Sequence, residues 1–410
     1  MTAVGSTWAR TYDYTATALH EPGTLDELRR TVAAAPRIRA LGTRHAFNDL
    51  ADSAELVSLA RMDPGIRIDA ETETVTVGGG VRYGDLGRAL DREGWALRNL
   101  ASLPHISVAG AIATGTHGSG DRNGVLARAV SGLRLVLADG ELLDLAPVDD
   151  RFDGAVVSLG ALGVVAEVTL DIEPSFQVRQ DTYLGLTWDA LLEHYDAIVS
   201  RAYSVSVFTT WTGDEVGSVL MKSRTDERTP PQELYGARPI GDSAIDRGLV
   251  GDSMTPQGGV PGPWIDRLPH FKLDHTPSVG DEIQSEYLVP RRHALDAIRA
   301  VRELGERIRP HLHVTELRTM SEDSLWLSPA YGTDAVGIHF TWKPEPDAVA
   351  ALLPELESAL APFAARPHWG KVFAAPARDR YPRLGDFAAL AQELDPEGKF
   401  RNAFLDRNVF

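Results

Sequence analysis

The sequence contains no cysteine among its 410 residues. That excludes disulfides, thiolate zinc sites, iron–sulfur clusters and a cysteine nucleophile. It is also short of positive charge: 41 Lys and Arg stand against 58 Asp and Glu, a net charge of −17. With no local basic patch, this argues against nucleic acid and against an anionic membrane surface as partners. No run of about 18 apolar residues is present, so no membrane-spanning helix is expected. Met1 to Tyr14 has no basic segment followed by an apolar one, which argues against secretion. The expectation is a soluble, cytoplasmic, monomeric protein. No internal repeat, no low-complexity tail and no GxGxxG after a strand is visible, and Gly78-Gly79-Gly80 does not fit that spacing, so a Rossmann nucleotide site is disfavoured.

What is present is a mixture of short strands and helices. Thr24-Leu-Asp-Glu27 reads as a capping box before Leu28 and Val32, and 37–41 as a short strand. Val75 and Val77 alternate in a second strand, and Asp85 is expected to cap a helix that stops at Gly94. Leu133, Leu135 and Leu137 run into Asp139-Gly140, a strong hairpin signal. Val164 to Ile172 alternates as a half-buried strand. Beyond Pro174 come amphipathic helices at 188–202, 293–308, 347–360 and 387–394, with strands at 311–319 and 335–343. Residues 223–280 hold 8 Pro and 8 Gly in 58 positions and read as a loop-rich insertion. The fold class expected is α+β rather than a doubly wound sheet.

Three glycine loops stand out. Gly110-Ala-Ile-Ala-Thr-Gly-Thr-His-Gly-Ser-Gly120 offers close backbone approach and hydroxyls but no Lys or Arg, so a phosphate would be held by amide dipoles. Gly42-Thr-Arg-His-Ala-Phe-Asn48 carries His45 in its middle, and Ser158-Leu-Gly-Ala-Leu-Gly163 precedes a strand. On residue types alone, a plain tight loop is the commoner reading of the first, and a local hydrogen-bonding role the commoner one for His45.

Together the loops resemble the vanillyl-alcohol-oxidase superfamily of FAD enzymes, and within it the alditol oxidase (xylitol/sorbitol oxidase) group. Gly42 to Asp49 is similar to the flavin-attachment loop, Leu103 to Gly118 to the second FAD loop, and Leu394-Asp-Pro-Glu-Gly-Lys-Phe-Arg-Asn402 to the closing motif. The resemblance implies FAD bound covalently through its 8α-methyl to His45; with no Cys, this is the only such bond available. The implied cofactor contacts are Gly42, Thr43, Arg44, His45, Ala46, Phe47 and Asn48; Ser102, Ser107, Gly110, Thr114, Gly115, Thr116 and His117; Val164 or Val165 near the adenine; and His368. Ala46 departs from the Ser common in relatives, so any contact there uses backbone. Residues 10–175 would form the FAD-binding domain, 176–369 a substrate cap, and 370–410 a segment returning to the first domain.

Alternation puts Glu316 and Arg318 on one face of their strand and His339 and Thr341 on one face of theirs. Such polar residues in an apolar sheet are costly unless paired. A surface Glu316–Arg318 ion pair and a metal cluster of His311, His313 and Glu316 are the other readings, although Glu316 should face away from the two histidines. The resemblance implies polyol binding by Ser102, Glu316, Arg318, Thr341 and Lys371, with His339 beside them, and no metal. It further implies hydride transfer from C1 to flavin N5, electrostatic roles for Arg318 and Lys371, a proton acceptor in His339 or Lys371, and reoxidation by O2 to give H2O2. Ala101 would lie near the reactive flavin edge. A sugar-lactone dehydrogenase using another acceptor and a non-catalytic polyol-binding module are the alternatives.

Overall fold

The structure, a computed structural model, describes residues 4–240, 252–275 and 281–410. Parts of the expected insertion, 241–251 and 276–280, lie outside the described residues. Among the described residues no helix is long and apolar enough to cross a membrane.

The N-terminal half is built from two sheets. Strands Ala18–His20, Glu55–Val57 and Ile38–Ala40 form a small parallel sheet with Glu55–Val57 central. Helix Leu25–Ala34 covers it, burying Leu28 and Val32 against Ile38, Val57, Val136 and Val164. Its cap is close to the one expected: Thr24 Oγ1 accepts from Glu27 N at 3.2 Å, while Glu27 Oε2 accepts from Gly23 N at 2.7 Å, one residue earlier than the reciprocal bond of a capping box. The second sheet is antiparallel, in the order Arg67–Asp69, Thr74–Gly78, Val164–Asp171, Val130–Val136, Leu142–Leu145. The Asp139-Gly140 turn joins its last two strands, with Gly140 at φ +84°.

Gly79 and Gly80 follow the strand Thr74–Gly78 where chains nearly touch. A Cβ on Gly79 would lie 2.1 Å from the Val165 carbonyl oxygen, and one on Gly80 2.4 Å from that of Leu59. Backbone cannot yield as a flexible side chain does. Gly79→Ala is therefore expected to destabilise the fold by about 1–3 kcal/mol, read as a lowered midpoint of thermal unfolding; an unchanged midpoint would refute this close packing.

The C-terminal half centres on a nine-stranded sheet among the described residues. Helices Trp188–Val199, Ala294–Glu303 and Pro346–Leu360 share an apolar core with one of its faces, burying Leu191, Ile298 and Leu356 against Tyr287, Leu317, Ile338 and Phe340. Strand alternation sends the intervening residues to the opposite face, which looks toward the N-terminal half.

The closing motif returns to the start of the chain. Asn402 Nδ2 donates to the carbonyls of Asp49, Leu50 and Asp52 at 3.1, 3.1 and 2.8 Å. Lys399 Nζ donates to Val32 O at 2.8 Å and Ala138 O at 2.6 Å.

One expectation needs correction. Asp85 is not a cap: helix Tyr83–Arg92 begins after Arg82, and Asp85 sits in the first turn, bound by Arg82 Nε at 2.6 Å. The Pro- and Gly-rich stretch is loop-rich as expected among the described residues, and it also packs on the first half. Its part 252–275 straps across the first half, with Trp264 fully buried and its Nε1 donating to Trp95 O at 3.2 Å.

Candidate active site

A cavity of about 620 Å³ separates the glycine loops from the polar face of the large sheet. One end is lined by Gly42, Thr43, Arg44, His45, Ala46 and Phe47, with Ser107, Gly110, Thr114 and Thr116 facing them and Val165, Leu159 and Gly160 beyond. The other end is lined by Ser102, Glu316, Arg318, His339, Thr341 and Lys371, while His117 and His368 also line it. Of the cofactor and substrate residues that the resemblance implies, three do not line it. Asn48 instead ties the loop down, its Nδ2 donating to Trp369 O at 2.9 Å and Lys371 O at 2.8 Å. Gly115 turns the chain at φ +64° against Pro329. Val164 is fully buried on the opposite face of its strand, with Leu28 and Val57, so Val165 is the one of the pair that lines the cavity.

The His45 loop is held from several sides. Arg44 adopts φ +65°, its carbonyl accepts from Trp8 N at 2.8 Å, and its guanidinium donates to Val4 O at 2.8 Å. Phe47 N donates to Gly370 O at 2.8 Å, and Thr43 Oγ1 accepts from Ser107 N at 3.2 Å. Residues 4–8, before the expected boundary at 10, thus belong to this framework. Trp8 stacks on the His45 ring, centroids 5.3 Å apart. Burial, with the nearby His105, lowers the His45 imidazole to about 4, so it is neutral, and its Nδ1 is buried with no hydrogen-bond partner.

At the other end, strand register creates a transverse row. Phe208 lies opposite Glu316, Glu316 opposite His339, and His339 opposite Glu286. Glu286 is the residue that sequence reading missed, and it is the hub. Its Oε2 accepts from Lys371 Nζ at 2.6 Å; its Oε1 lies 3.1 Å from His117 Nε2, poorly aligned for a hydrogen bond, and 3.6 Å from Arg318 Nη2. Burial pushes the Glu286 carboxyl up, but Lys371 and the other cations outweigh it and hold it well below the usual carboxylate range. Lys371 Nζ also meets His339 Nδ1 at 2.5 Å, and His339 Nε2 meets Thr341 Oγ1 at 3.1 Å. Burial, then Lys371, lowers His339 to about 4; burial also lowers Lys371.

Arg318 Nη1 donates to Ser102 Oγ at 3.4 Å and its Nε lies 3.5 Å from Glu316 Oε2 without forming a hydrogen bond. Glu316 and Arg318 are both buried, which replaces the surface ion pair considered from the sequence. The metal alternative also fails on geometry. His311 pairs with Glu345 at 2.6 Å, whereas Glu316 Oε1 pairs with His270 Nε2 at 2.9 Å, so His311 and Glu316 serve different partners. His313 sits at the bulge between Leu312 and Val314.

The residues present suit FAD. The glycine loops supply a cradle in which a Cβ at Gly42 or Gly110 would strike Ser107 Oγ at 2.7 or 2.8 Å. A neutral, buried, unpartnered ring nitrogen on His45 opens at the same end.

The chain is similar to known proteins. Residues 16–146 match the FAD binding domain family and residues 281–408 the D-arabinono-1,4-lactone oxidase family. The chain is 47% identical over 413 residues to the alditol oxidase of Streptomyces sp., covering 99% of each chain. It is 31% identical over 435 residues to the L-gulono-1,4-lactone dehydrogenase of Mycobacterium tuberculosis, again covering 99% of each. The crystal structure of cholesterol oxidase from B. sterolicum superposes with a TM-score of 0.82 at 17% identity, covering 99% of this chain and 96% of that one, a likeness of fold alone. The chain therefore belongs to the alditol oxidase family, within the vanillyl-alcohol-oxidase superfamily of FAD-dependent oxidoreductases.

Proposed function

We propose that the protein oxidises the terminal hydroxyl of alditols such as xylitol and sorbitol to the aldose. The observation that carries this reading is the buried polar row of Glu316, His339 and Glu286, flanked by Arg318 and Lys371, in the same cavity as the His45 loop. A substrate with a hydroxyl on every carbon is matched by many charge-assisted donors and acceptors, and a deoxy analogue would leave such groups unpaired. FAD, when bound, would supply the acceptor for hydride from C1 and the redox couple through which O2 would be reduced to H2O2.

The chain's own residues bind, orient and handle the proton. Ser102 Oγ, Thr341 Oγ1 and Glu316 Oε2 hold polyol hydroxyls. Arg318 faces O1 and stabilises its developing negative charge, joined by Lys371 once Lys371 carries the proton. Lys371 Nζ and His339 Nδ1, 2.5 Å apart, act as one proton acceptor. When Lys371 is neutral, Nζ takes the hydroxyl proton, and Glu286, 2.6 Å away, offsets the new charge. Ala101, buried beside Ser102 and lining the cavity, leaves room for O2. The division into an FAD-binding unit at 10–175 with 370–410, and a substrate cap at 176–369, belongs to the same proposal. Oxygen-dependent peroxide formation on xylitol, sorbitol and glycerol tests it; no peroxide with any alditol would reject it.

Attachment of the cofactor is proposed at His45. On acid precipitation the yellow chromophore should stay with the protein, and His45→Ala should release it into the supernatant. Free flavin from the unmutated protein would show that no covalent bond forms.

A further inference from the structure

Two buried side chains behind the polar row have no place in the mechanism so far. His270 comes from the strap 252–275, and Lys222 from the strand Ser218–Arg224. His270 is 7% exposed and Lys222 3%. Lys222 Nζ donates to Leu268 O and lies 3.1 Å from His270 Nδ1; His270 Nε2 lies 2.9 Å from Glu316 Oε1. The Glu316 carboxylate has only acceptors, so the ring proton sits on Nε2, aimed at it, and Nδ1 accepts from Lys222 Nζ.

The geometry on the other side of Glu316 gives this bond its significance. Glu316 and Arg318 project from one strand, two residues apart, with Glu316 Oε2 and Arg318 Nε separated by 3.5 Å and Nε left without a hydrogen-bond partner. A buried carboxylate and guanidinium so placed would gain a short charge-assisted bond by closing that gap. Closing it would satisfy each with the other and withdraw both from a ligand. The bond from His270 holds Oε1 on the far side. The same stretch also sets the next substrate contact: His270 N and Phe271 N both donate to Ser102 O, at 3.0 and 3.2 Å.

We propose that His270, oriented by Lys222, is a positioning residue that keeps Glu316 apart from Arg318 and so leaves both available to the polyol. The inference rests on the alditol reading for its kinetic consequence, but not for its structural one. Binding and turnover should share the loss, because Arg318, drawn toward Glu316, also faces O1, while Lys371 and His339 stay in place.

The test uses the flavin-loaded full-length protein with xylitol. His270→Phe fills the volume but removes the donor, and should raise KM by about 10-fold or more, the scale of one hydrogen bond to a charged group, and lower kcat with it through the displaced Arg318. His270→Gln, whose amide again donates to Glu316, should restore most of the KM. Lys222→Met should raise KM as well, and Lys222→Arg should restore it. In a crystal structure of His270→Phe, the Glu316–Arg318 separation should close to hydrogen-bond length. An unchanged KM in both His270→Phe and Lys222→Met, or a Glu316 carboxylate that stays in place in His270→Phe, would overturn the proposal. If His270→Phe does not accumulate as folded protein, KM and the Glu316 position in Lys222→Met decide in its stead. If the parent protein does not oxidise xylitol, the alditol reading fails, and the carboxylate position alone decides whether His270 has this role.

Discussion

Lys371→Ala is expected to lower xylitol turnover by about 10²–10³, the usual effect of losing one preorganised electrostatic group, while the flavin spectrum remains that of the parent. Lys371 Nζ bridges Glu286 and His339 at 2.6 and 2.5 Å, so its removal takes away the proposed proton acceptor and the charge it carries once protonated. Arg318→Ala should fall in the same range. Thr341→Ala is the contrast: one neutral hydroxyl contributes only about 0.5–1.5 kcal/mol, and its loss should appear chiefly in KM. A group that acts mainly in the transition state depresses kcat and kcat/KM together. Near-normal turnover in both Lys371→Ala and Arg318→Ala would place the site elsewhere.

The second large effect is expected at Glu286. This carboxylate is 1% exposed and is the shared counter-charge of Lys371 and Arg318. Removing one member of a buried ion cluster leaves the others uncompensated, which typically costs about 3–5 kcal/mol. Glu286→Gln, nearly isosteric, should therefore lower the unfolding midpoint more than a mutation of Ser102 or Thr341 would. It should also depress turnover, because Lys371 loses the anion that fixes its position. A stable, fully active Glu286→Gln protein would show that the buried cations do not depend on it.

The extent to which the sequence foretold this site follows from how each residue is encoded. Glu316 with Arg318, and His339 with Thr341, are legible because strand alternation is local and each pair stands out in an apolar run. Glu286 obeys the same rule on the strand Ile283–Pro290, where Ile283, Tyr287 and Val289 join the core and Gln284 and Glu286 line the cavity. It escaped notice because that strand emerges from the Pro- and Gly-rich stretch, which blurred its start. His270 and Lys222 carry no local signal: they meet Glu316 only through pairing across 46 residues in one case and through His270 in the other. The role of the strap is likewise non-local, since Trp264 finds its burial against a helix formed far earlier in the chain. Asp85 illustrates the opposite error. A good capping residue near a helix start suggests the cap, but the first turn and an ion pair to Arg82 suit an acidic side chain equally well.

The most direct test of the account is an anaerobic titration of the purified, flavin-loaded protein with xylitol, following the absorbance of the oxidised flavin. Bleaching by xylitol or sorbitol, with recovery and H2O2 formation on admitting O2, is the result predicted. A flavin that stays oxidised in every alditol yet is bleached by a sugar lactone would contradict it and assign the cavity to lactone chemistry instead.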